Sequence, residues 1–224
     1  MNKAKIAEFF DADKVTVAVN VVGVGAVGSN VAIALAHMGF NEITLWDFDT
    51  VEPHNITNQM FTVDQIGMLK VDAVEASIKA VNPDCNVIKH TEGLKDDYTL
   101  SGIVFLCVDN IDLRRKIVEE NQRNKYCACI SDFRMRLTDA QYYFADMQKP
   151  EDVKRLLKTM QFTHDEAKDA TPKSACNVEL SVIYNVSCIV ALGVANVTNW
   201  LRTKGENYKR TIYTDLDYME VQVF

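Results

Sequence analysis

The stretch that decides the fold runs from Val15 to Met38 and reads VTVAVNVVGVGAVGSNVAIALAHM. Its first part, Val15–Val22, is an apolar and mostly β-branched run of strand length, which is typical of a parallel strand covered on both faces. The residues from Ser29 onward predict a helix that ends at Met38, because a glycine follows it. A strand, a glycine-rich turn and a helix therefore follow one another directly.

The turn contains the pattern G-x-G-x-x-G, formed by Gly23, Gly25 and Gly28. In a strand–turn–helix unit the first glycine permits the tight turn and the second lets the backbone approach a phosphate. The third glycine lets the helix pack closely on the strand. The free N–H groups at the start of the helix also attract an anion. A glycine turn that serves packing alone is the alternative. The strand before the turn and the helix after it favour nucleotide binding.

Predicted strands and helices alternate as far as residue 130, which indicates a mostly parallel sheet with right-handed crossovers. The sequence thus predicts an α/β fold: a Rossmann-like, mostly parallel sheet flanked by helices, with antiparallel strands added in the C-terminal third. We expect one nucleotide-binding domain over residues 1–224, with residues 1–130 as its Rossmann-like half. Residues 131–224 are expected to hold a hairpin, a crossover loop, a long helix and terminal strands. The predicted elements include helices over 3–10, Val63–Val81 and 151–160, strands over Tyr126–Ile130 and Phe133–Leu137, and a mobile loop up to residue 175.

The charge and the cysteines exclude several classes of function. The net charge is −7, from 31 acidic and 24 basic residues, whereas binding to nucleic acid or to an anionic membrane surface requires a basic face. None of the six cysteines forms a C-x-x-C pair, so we expect no structural zinc and reduced thiols in the cytoplasm. The uncharged stretch Leu180–Leu201 is long enough to cross a bilayer, but its asparagines favour a buried or interface helix.

Three residues beyond the turn bear on which nucleotide is bound. Asp47 ends the second predicted strand, where an acid accepts hydrogen bonds from ribose hydroxyls. Lys70 suits triphosphate oxygens, although a single lysine is more often an ordinary surface residue. Asp109 ends the central strand at the edge of the sheet where ligands bind, and there a carboxylate can hold Mg²⁺ or cap the next helix. Together these residues favour ATP with Mg²⁺ over NAD.

The same residues belong to motifs that occur in the order of a known family. They are LWDFDTV from Leu45 to Val51, Asn55-Ile56-Thr57-Asn58-Gln59, Gly67-x-x-Lys70, Val81-Asn82-Pro83, and Cys107-Val108-Asp109-Asn110 followed by Arg114. From Val15 to Phe144 the chain resembles the ThiF/MoeB/HesA family, which includes the ubiquitin-activating enzymes.

The resemblance implies an ATP- and Mg²⁺-dependent adenylyltransferase. Such an enzyme activates the C-terminal carboxylate of a ubiquitin-like or sulfur-carrier protein with a small-residue C-terminus, forming an acyl-adenylate and pyrophosphate. It implies nucleotide contacts from the glycine turn, Asp47, Asp49, Asn55, Gln59 and Lys70, a metal contact from Asp109, and catalytic roles for Lys70, Asp109 and Arg114. It also implies a homodimer, with the helix in Leu180–Leu201 as part of the interface.

One departure limits this interpretation. Asn58 stands where the family has an arginine that reaches the terminal phosphates, and Arg134 and Arg136 are candidate substitutes because arginine binds phosphate bidentately. A non-catalytic or divergent nucleotide-binding relative that acts through a protein partner stays open, as does an NAD-dependent enzyme, although the chain shows no persuasive catalytic His or Lys pair for the latter. Cys176 is a candidate reactive thiol, because Lys173 and a helix start lower a thiol pKa; an incidental cysteine is the alternative.

Overall fold

The computed structural model describes residues 1–95, 97–169, 171 and 180–224, and a single mixed sheet of eight strands lies at the centre of these residues. Its strands are β1 (Val19–Val22), β2 (Glu42–Trp46), β3 (Asn86–His90), β4 (Gly102–Leu106), β5 (Cys127–Met135), β6 (Asp139–Asp146), β7 (Thr211–Asp215) and β8 (Glu220–Val223). Their spatial order is β3-β2-β1-β4-β5-β6-β7-β8. The first five strands are parallel and the last three join antiparallel, which confirms the predicted α/β, Rossmann-like fold.

Helices cover both faces of this sheet. They are α1 (Ala26–His37), α2 (Lys70–Val81), α3 (Ile111–Asn121), α4 (Pro150–Lys158), α5 (His164–Asp169) and α6 (Ile183–Arg202). Helices α1, α2 and α6 pack on one face, while α3 and α4 pack on the other and α5 lies against α3. Successive strand residues enter different apolar clusters, Val21 with α1 and Val22 with α3, and this is why β1 is apolar along its whole length.

The side on which successive strands are added to the sheet reverses at β1. Val22 pairs with Trp46 of β2 on one side and with Leu106 of β4 on the other. The chain adds β2 and β3 outward on the first side and then returns to place β4 on the second. Ligands of open α/β sheets bind in the crevice that this reversal creates at the carboxyl ends of the strands. The turns after β1, β2 and β4 meet at this edge.

The predicted helix over Val63–Val81 is wrong in its first half. A short 3₁₀ helix ends at Gln65, and α2 begins only at Lys70. Between them Gly67 has a φ of 91° and donates its backbone N–H to the carbonyl of Val51 at 2.9 Å. This segment thus pairs with the chain that follows β2 instead of coiling, and the pairing fixes where Lys70 starts its helix.

The predicted helix over residues 3–10 is also wrong, because the segment forms only turns. The backbone N–H groups of Ile6 and Ala7 both donate to the carbonyl of Lys3 at 3.0 Å. The carbonyl of Ile6 accepts the N–H groups of Phe9 and Phe10 in the same way, so the segment is two separate turns and not a continuous ladder of helical bonds. Lys3 itself binds Asp13 at 2.6 Å, next to Asn41 at the start of β2, which is the end of the sheet opposite the crevice.

The C-terminal third follows the predicted order with one change. The strands predicted over Tyr126–Ile130 and Phe133–Leu137 are one strand, β5, because the polar residues between them are buried with partners. Ser131 Oγ, for example, lies 2.8 Å from the hydroxyl of Tyr142. The hairpin from β5 to β6 and the helix over 151–160, which is α4, are confirmed. Part of the predicted mobile loop forms α5, and much of the rest lies outside the described residues. No helix within the described ranges combines the length and apolar character needed to cross a membrane.

Helix α6 approaches the sheet closely at one glycine. A Cβ built on Gly193 would lie 2.3 Å from the ring of Phe133 and 2.8 Å from the ring of Tyr142. Both rings are buried in the core, so they have little room to move. Two turns earlier, the side chain of Asn185 donates to the carbonyls of Arg136 and Asp139 and holds the helix on the β5–β6 hairpin.

We predict that Gly193→Ala destabilises the fold by about 1–3 kcal/mol, the usual cost of overpacking a core. A glycine-to-alanine change inside an ordinary helix stabilises instead, by up to about 1 kcal/mol. Urea unfolding followed by circular dichroism measures the effect. Glu120→Ala, on the exposed side of α3, is the control and should change the free energy of unfolding by no more than about 0.5 kcal/mol. A rise in stability for Gly193→Ala would contradict the close packing described.

Candidate nucleotide-binding site

The three glycines of the turn meet three different environments. Gly23 has a φ of 83°, and a Cβ there would lie 2.9 Å from the backbone nitrogen of Val108. A Cβ on Gly28 would lie 1.8 Å from the carbonyl oxygen of Gly23, so α1 can start this close to β1 only without a side chain. By contrast, a Cβ on Gly25 would meet a single atom within 4 Å, Oε1 of Gln59 at 3.9 Å. Space is therefore open in front of Gly25, where a phosphate would approach the backbone.

The start of α1 faces this open space. Gly25 is the N-cap residue and provides no side-chain cap, so the first N–H groups of the helix are left for water or a ligand. Such groups, together with the positive end of the helix dipole, form an anion site. The open cradle and the uncapped helix fit a nucleotide phosphate.

The carboxylate of Asp47 braces the turn from the end of β2. Its Oδ2 accepts the backbone N–H of Val24 at 2.7 Å, and its Oδ1 accepts that of Asp49 at 2.9 Å. The side chain is buried, with 9% of the residue exposed. Each carboxylate oxygen can accept a second hydrogen bond, so the role of Asp47 in the turn is compatible with a contact to ribose.

Lys70 lies in the same chain of contacts. Its Nζ binds Oδ2 of Asp49 at 2.8 Å, and its backbone N–H donates to the carbonyl of Asp49 at 2.9 Å. The lysine side chain is 10% exposed and that of Asp49 is 50% exposed. A continuous series of bonds therefore runs from Val24 through Asp47 and Asp49 to Lys70, and it places a positive charge near the glycine turn.

The loop after β2 contributes two amides. Asn55 is buried, and its Oδ1 accepts the backbone N–H of Glu52 at 2.8 Å. Gln59 places its Oε1 beside Gly25, buried and with no hydrogen-bond partner among the described residues. Because an amide that turns over presents N–H in place of oxygen, Gln59 can meet either an acceptor or a donor of a ligand. Asn58, next to it, is half-buried and ends the 3₁₀ helix Pro53–Thr57.

Asp109 follows β4 directly beside the turn. The cap of α3 is not Asp109 but Asn110, whose Oδ1 accepts the N–H groups of Asp112 and Leu113 at 3.0 Å each. Asp109 is exposed, and its side chain forms no hydrogen bond or ion pair with the residues that the structure describes. The described part of the chain contains no cluster of three or more metal-binding side chains. Magnesium binds with few carboxylates and completes its coordination with phosphate oxygens and water, and a lone Asp109 fits this mode.

Arg114 does not reach into the open space. Its guanidinium is buried and donates to Asp132 and to the carbonyls of Leu106, Val108 and Phe133. Its predicted contact with nucleotide would require these bonds to break. Sequence reasoning missed Asp132, which lies inside β5 and is fully buried; the only signal was an acid inside an apolar stretch.

The two arginines considered as substitutes for the family arginine are also occupied. Arg134 binds Oδ2 of Asp132 through Nε at 2.7 Å and the carbonyl of Thr159 at 2.8 Å. Arg136 pairs with Asp139 at 2.9 Å on the exposed hairpin. Neither side chain lies among the groups that surround Gly25.

An open pocket of about 370 Å³ lies at the carboxyl ends of β2 and β3, next to Asp47. Trp46 and His90 form part of its wall, with their rings stacked at 3.6 Å. The rest of the lining includes Lys89, Glu92 and Lys95, so the pocket is mainly polar with one aromatic side that suits a nucleobase.

Cys107 is the described cysteine that lies against the glycine turn, next to Gly28, and burial raises the pKa of its thiol. A thiol with a raised pKa is a weak nucleophile. Cys176 lies outside the described residues.

The chain is similar in sequence to ubiquitin-like modifier-activating enzymes. Ubiquitin-like modifier-activating enzyme 5 of Drosophila ananassae is 36% identical over 125 residues, which cover 48% of this chain and 32% of that protein. Its Drosophila virilis counterpart is 33% identical over 135 residues, covering 51% and 34%. The chain therefore matches about a third of the length of these curated relatives.

Solved structures share the fold over most of the chain. The crystal structure of E. coli MccB with ATP has a TM-score of 0.68 at 19% identity and covers 95% of this chain and 65% of that one. PaaA has a TM-score of 0.69 at 18% identity, with coverage of 92% and 62%. At these identities the likeness establishes the fold. Residues 8–223 match the ThiF family, and the chain belongs to that family.

Proposed function

We propose that the chain is an adenylyltransferase that uses ATP and Mg²⁺ to activate the C-terminal carboxylate of a ubiquitin-like or sulfur-carrier protein. The observation that carries the proposal is the set of groups around the start of α1. The backbone at Gly25 is open, and hydrogen bonds through Asp47 and Asp49 link the turn to Lys70. Asp109 directly follows Val108, whose backbone nitrogen lies against Gly23. Membership of the ThiF family and the ubiquitin-activating relatives support this class of enzyme.

The chemistry requires positioning and charge rather than a covalent group from the protein. The carrier carboxylate attacks the α-phosphorus, a new C–O–P bond forms, and the bond to the bridging oxygen of pyrophosphate breaks. The amides at the start of α1 and the ammonium of Lys70 stabilise the charge that grows on the phosphate oxygens. Asp47 orients the ribose, and the Trp46–His90 pocket receives the adenine. Magnesium at Asp109 would neutralise charge on the departing pyrophosphate.

The proposed partner has a flexible C-terminus of small residues, because the carboxylate must enter a crevice beside closely packed backbone. Solved structures of MccB are described with ATP and with AMPCPP together with MccA, so a protein of this fold binds a nucleotide and a second partner. We propose an intact carrier protein as the partner, in line with the ubiquitin-like modifier-activating relatives.

A second candidate function is a nucleotide-binding relative that acts through a protein partner without efficient adenylation. It is favoured because Asn58 stands where the resemblance implies an arginine, while Arg114, Arg134 and Arg136 bind Asp132 and Asp139. Lys70 is then the basic side chain that the bonds through Asp47 and Asp49 connect to the turn. An NAD-dependent enzyme is the least supported reading; thermal stabilisation by NAD but not by ATP with Mg²⁺ would favour it.

We predict that the wild-type chain catalyses carrier-dependent ATP–pyrophosphate exchange and that Lys70→Ala lowers the rate by about a hundredfold or more, as removal of one charge-stabilising donor does elsewhere. Asp109→Asn should have a similar effect, partly offset by raised Mg²⁺. Lys79→Ala, near the other end of α2, and Asp112→Asn, in the first turn of α3, are matched controls that should stay near the wild-type rate. Exchange that survives both site substitutions would sink the proposed mechanism.

We predict that Asn58→Arg raises the exchange rate by at least about tenfold, because an arginine that stabilises phosphoryl charge contributes several orders of magnitude in related chemistry. Asn58 is half-buried at the end of the loop that carries Gln59, so a longer side chain has access to the open space. Thr57→Arg, on the exposed neighbour, controls for added charge. If wild type and Asn58→Arg are equally inactive with every carrier while ATP still raises the melting temperature, the second candidate function is the correct one.

The proposed homodimer uses the outer face of α6. This helix carries no charge from Ile183 to Leu201, and its exposed residues are Ile183, Tyr184, Ser187, Ala191 and Ala195. We predict that the chain is a dimer by light scattering at micromolar concentration and that Ala191→Asp shifts it to monomer, because an unpaired charge is costly to bury. Glu220→Ala at the far edge strand is the control. A wild-type monomer would remove this interface.

A further inference from the structure

A buried charge network lies directly behind the turn that carries Asp109. Asp132 is fully buried on β5, and it pairs in register with Leu106, the last residue of β4. One carboxylate oxygen binds the guanidinium of Arg114 and the other binds Arg134. A buried acid between two arginines ties α3, β5 and the end of α4 to the end of β4.

Arg114 carries this network to the backbone of the turn. Its guanidinium donates to the carbonyls of Leu106, the last residue of β4, and Val108, two residues further on. On the other side of Asp109, the Asn110 side chain is fixed by the first N–H groups of α3. The backbone is therefore held both before and after Asp109, although the Asp109 side chain itself stays exposed.

We infer that Asp132 and Arg114 are positioning residues that hold Asp109 in place for the metal. The inference rests on the proposed function, because it assigns Asp109 its task. Asp132 sets the position of the guanidinium, since a buried arginine without a counter-charge is strongly unfavourable and moves or draws in water. Arg114 then transmits this position through two carbonyls to the turn. Neither residue touches nucleotide.

Arg134 provides the matched control. It binds the same carboxylate as Arg114 but continues to Thr159 on α4, away from the turn, and it makes no bond to the end of β4. Arg134→Gln therefore perturbs the same buried network without releasing the carbonyls of Leu106 and Val108. A network that serves stability alone would respond equally to the loss of either arginine.

The first measurement is hydrogen–deuterium exchange, read by NMR at the amides of Cys107, Asp112 and Leu113. These amides bond to the carbonyl of Val22 and to the Asn110 side chain, so they report the order of the turn. We expect Asp132→Asn to accelerate their exchange by about tenfold relative to amides of β2, whereas Arg134→Gln stays within about twofold of wild type. Equal protection in wild type and Asp132→Asn, or equal loss in both variants, would overturn the inference.

If Asp132→Asn does not fold, Arg114→Lys takes its place. A lysine keeps the charge opposite Asp132, but its single ammonium cannot bind that carboxylate and also reach the carbonyls of Leu106 and Val108 as the planar fork does. We expect faster exchange at the same three amides. Protection equal to that of the wild type would refute the positioning role of Arg114.

The second measurement is ATP–pyrophosphate exchange as a function of Mg²⁺. We expect Asp132→Asn to raise the Mg²⁺ concentration for half-maximal rate by about tenfold and to leave the KM for carrier unchanged. A raised carrier KM with an unchanged Mg²⁺ requirement would count against the assignment. An inactive wild type would refute the proposed function instead, and the amide measurement would still decide whether Asp132 and Arg114 order the turn.

Discussion

The contact between Gly28 and the carbonyl of Gly23 is the constraint on which the site depends. A Cβ on Gly28 would lie 1.8 Å from that oxygen, so α1 can begin against the end of β1 only with glycine at this point. The close start directs the helix N-terminus at the space in front of Gly25. Asp47 then fixes the turn by accepting the N–H of Val24. Core packing therefore sets the location of the anion site, and polar side chains refine it afterwards.

The basic side chains considered for phosphate binding at this site are already paired with acids of the chain. The chain has a net charge of −7, and the two arginines behind the turn, Arg114 and Arg134, share the buried carboxylate of Asp132. Lys70 is paired with Asp49, but the acid is half exposed, and such a pair is worth little in water. Exchanging that carboxylate for a phosphate therefore costs little, and the backbone amides of α1 supply the rest of the positive potential.

The sequence predicted those features that depend on local chemistry. The glycine spacing, the acid at the end of β2 and the apolar run of β4 each follow from rules that act within a few residues, and each is present in the structure. The break in the Val63–Val81 helix was not predictable in this way, because it arises from pairing with Val51 in a different segment. Asp132 was missed for the same reason, since only the fold brings Arg114 to it. Whether Lys70 and Asp109 perform their assigned roles stays a prediction.

Long-range pairing also couples stability to the site. Asp132 satisfies two arginines at once, and removing one member of a buried ion pair leaves an uncompensated charge that is costly in the core. Replacing a single member of this network therefore lowers the free energy of unfolding. Because Arg114 also holds the carbonyls at the end of β4, the same loss loosens the turn beside Asp109. The core and the crevice are therefore coupled, because the position of the exposed Asp109 carboxylate depends on the buried carboxylate of Asp132.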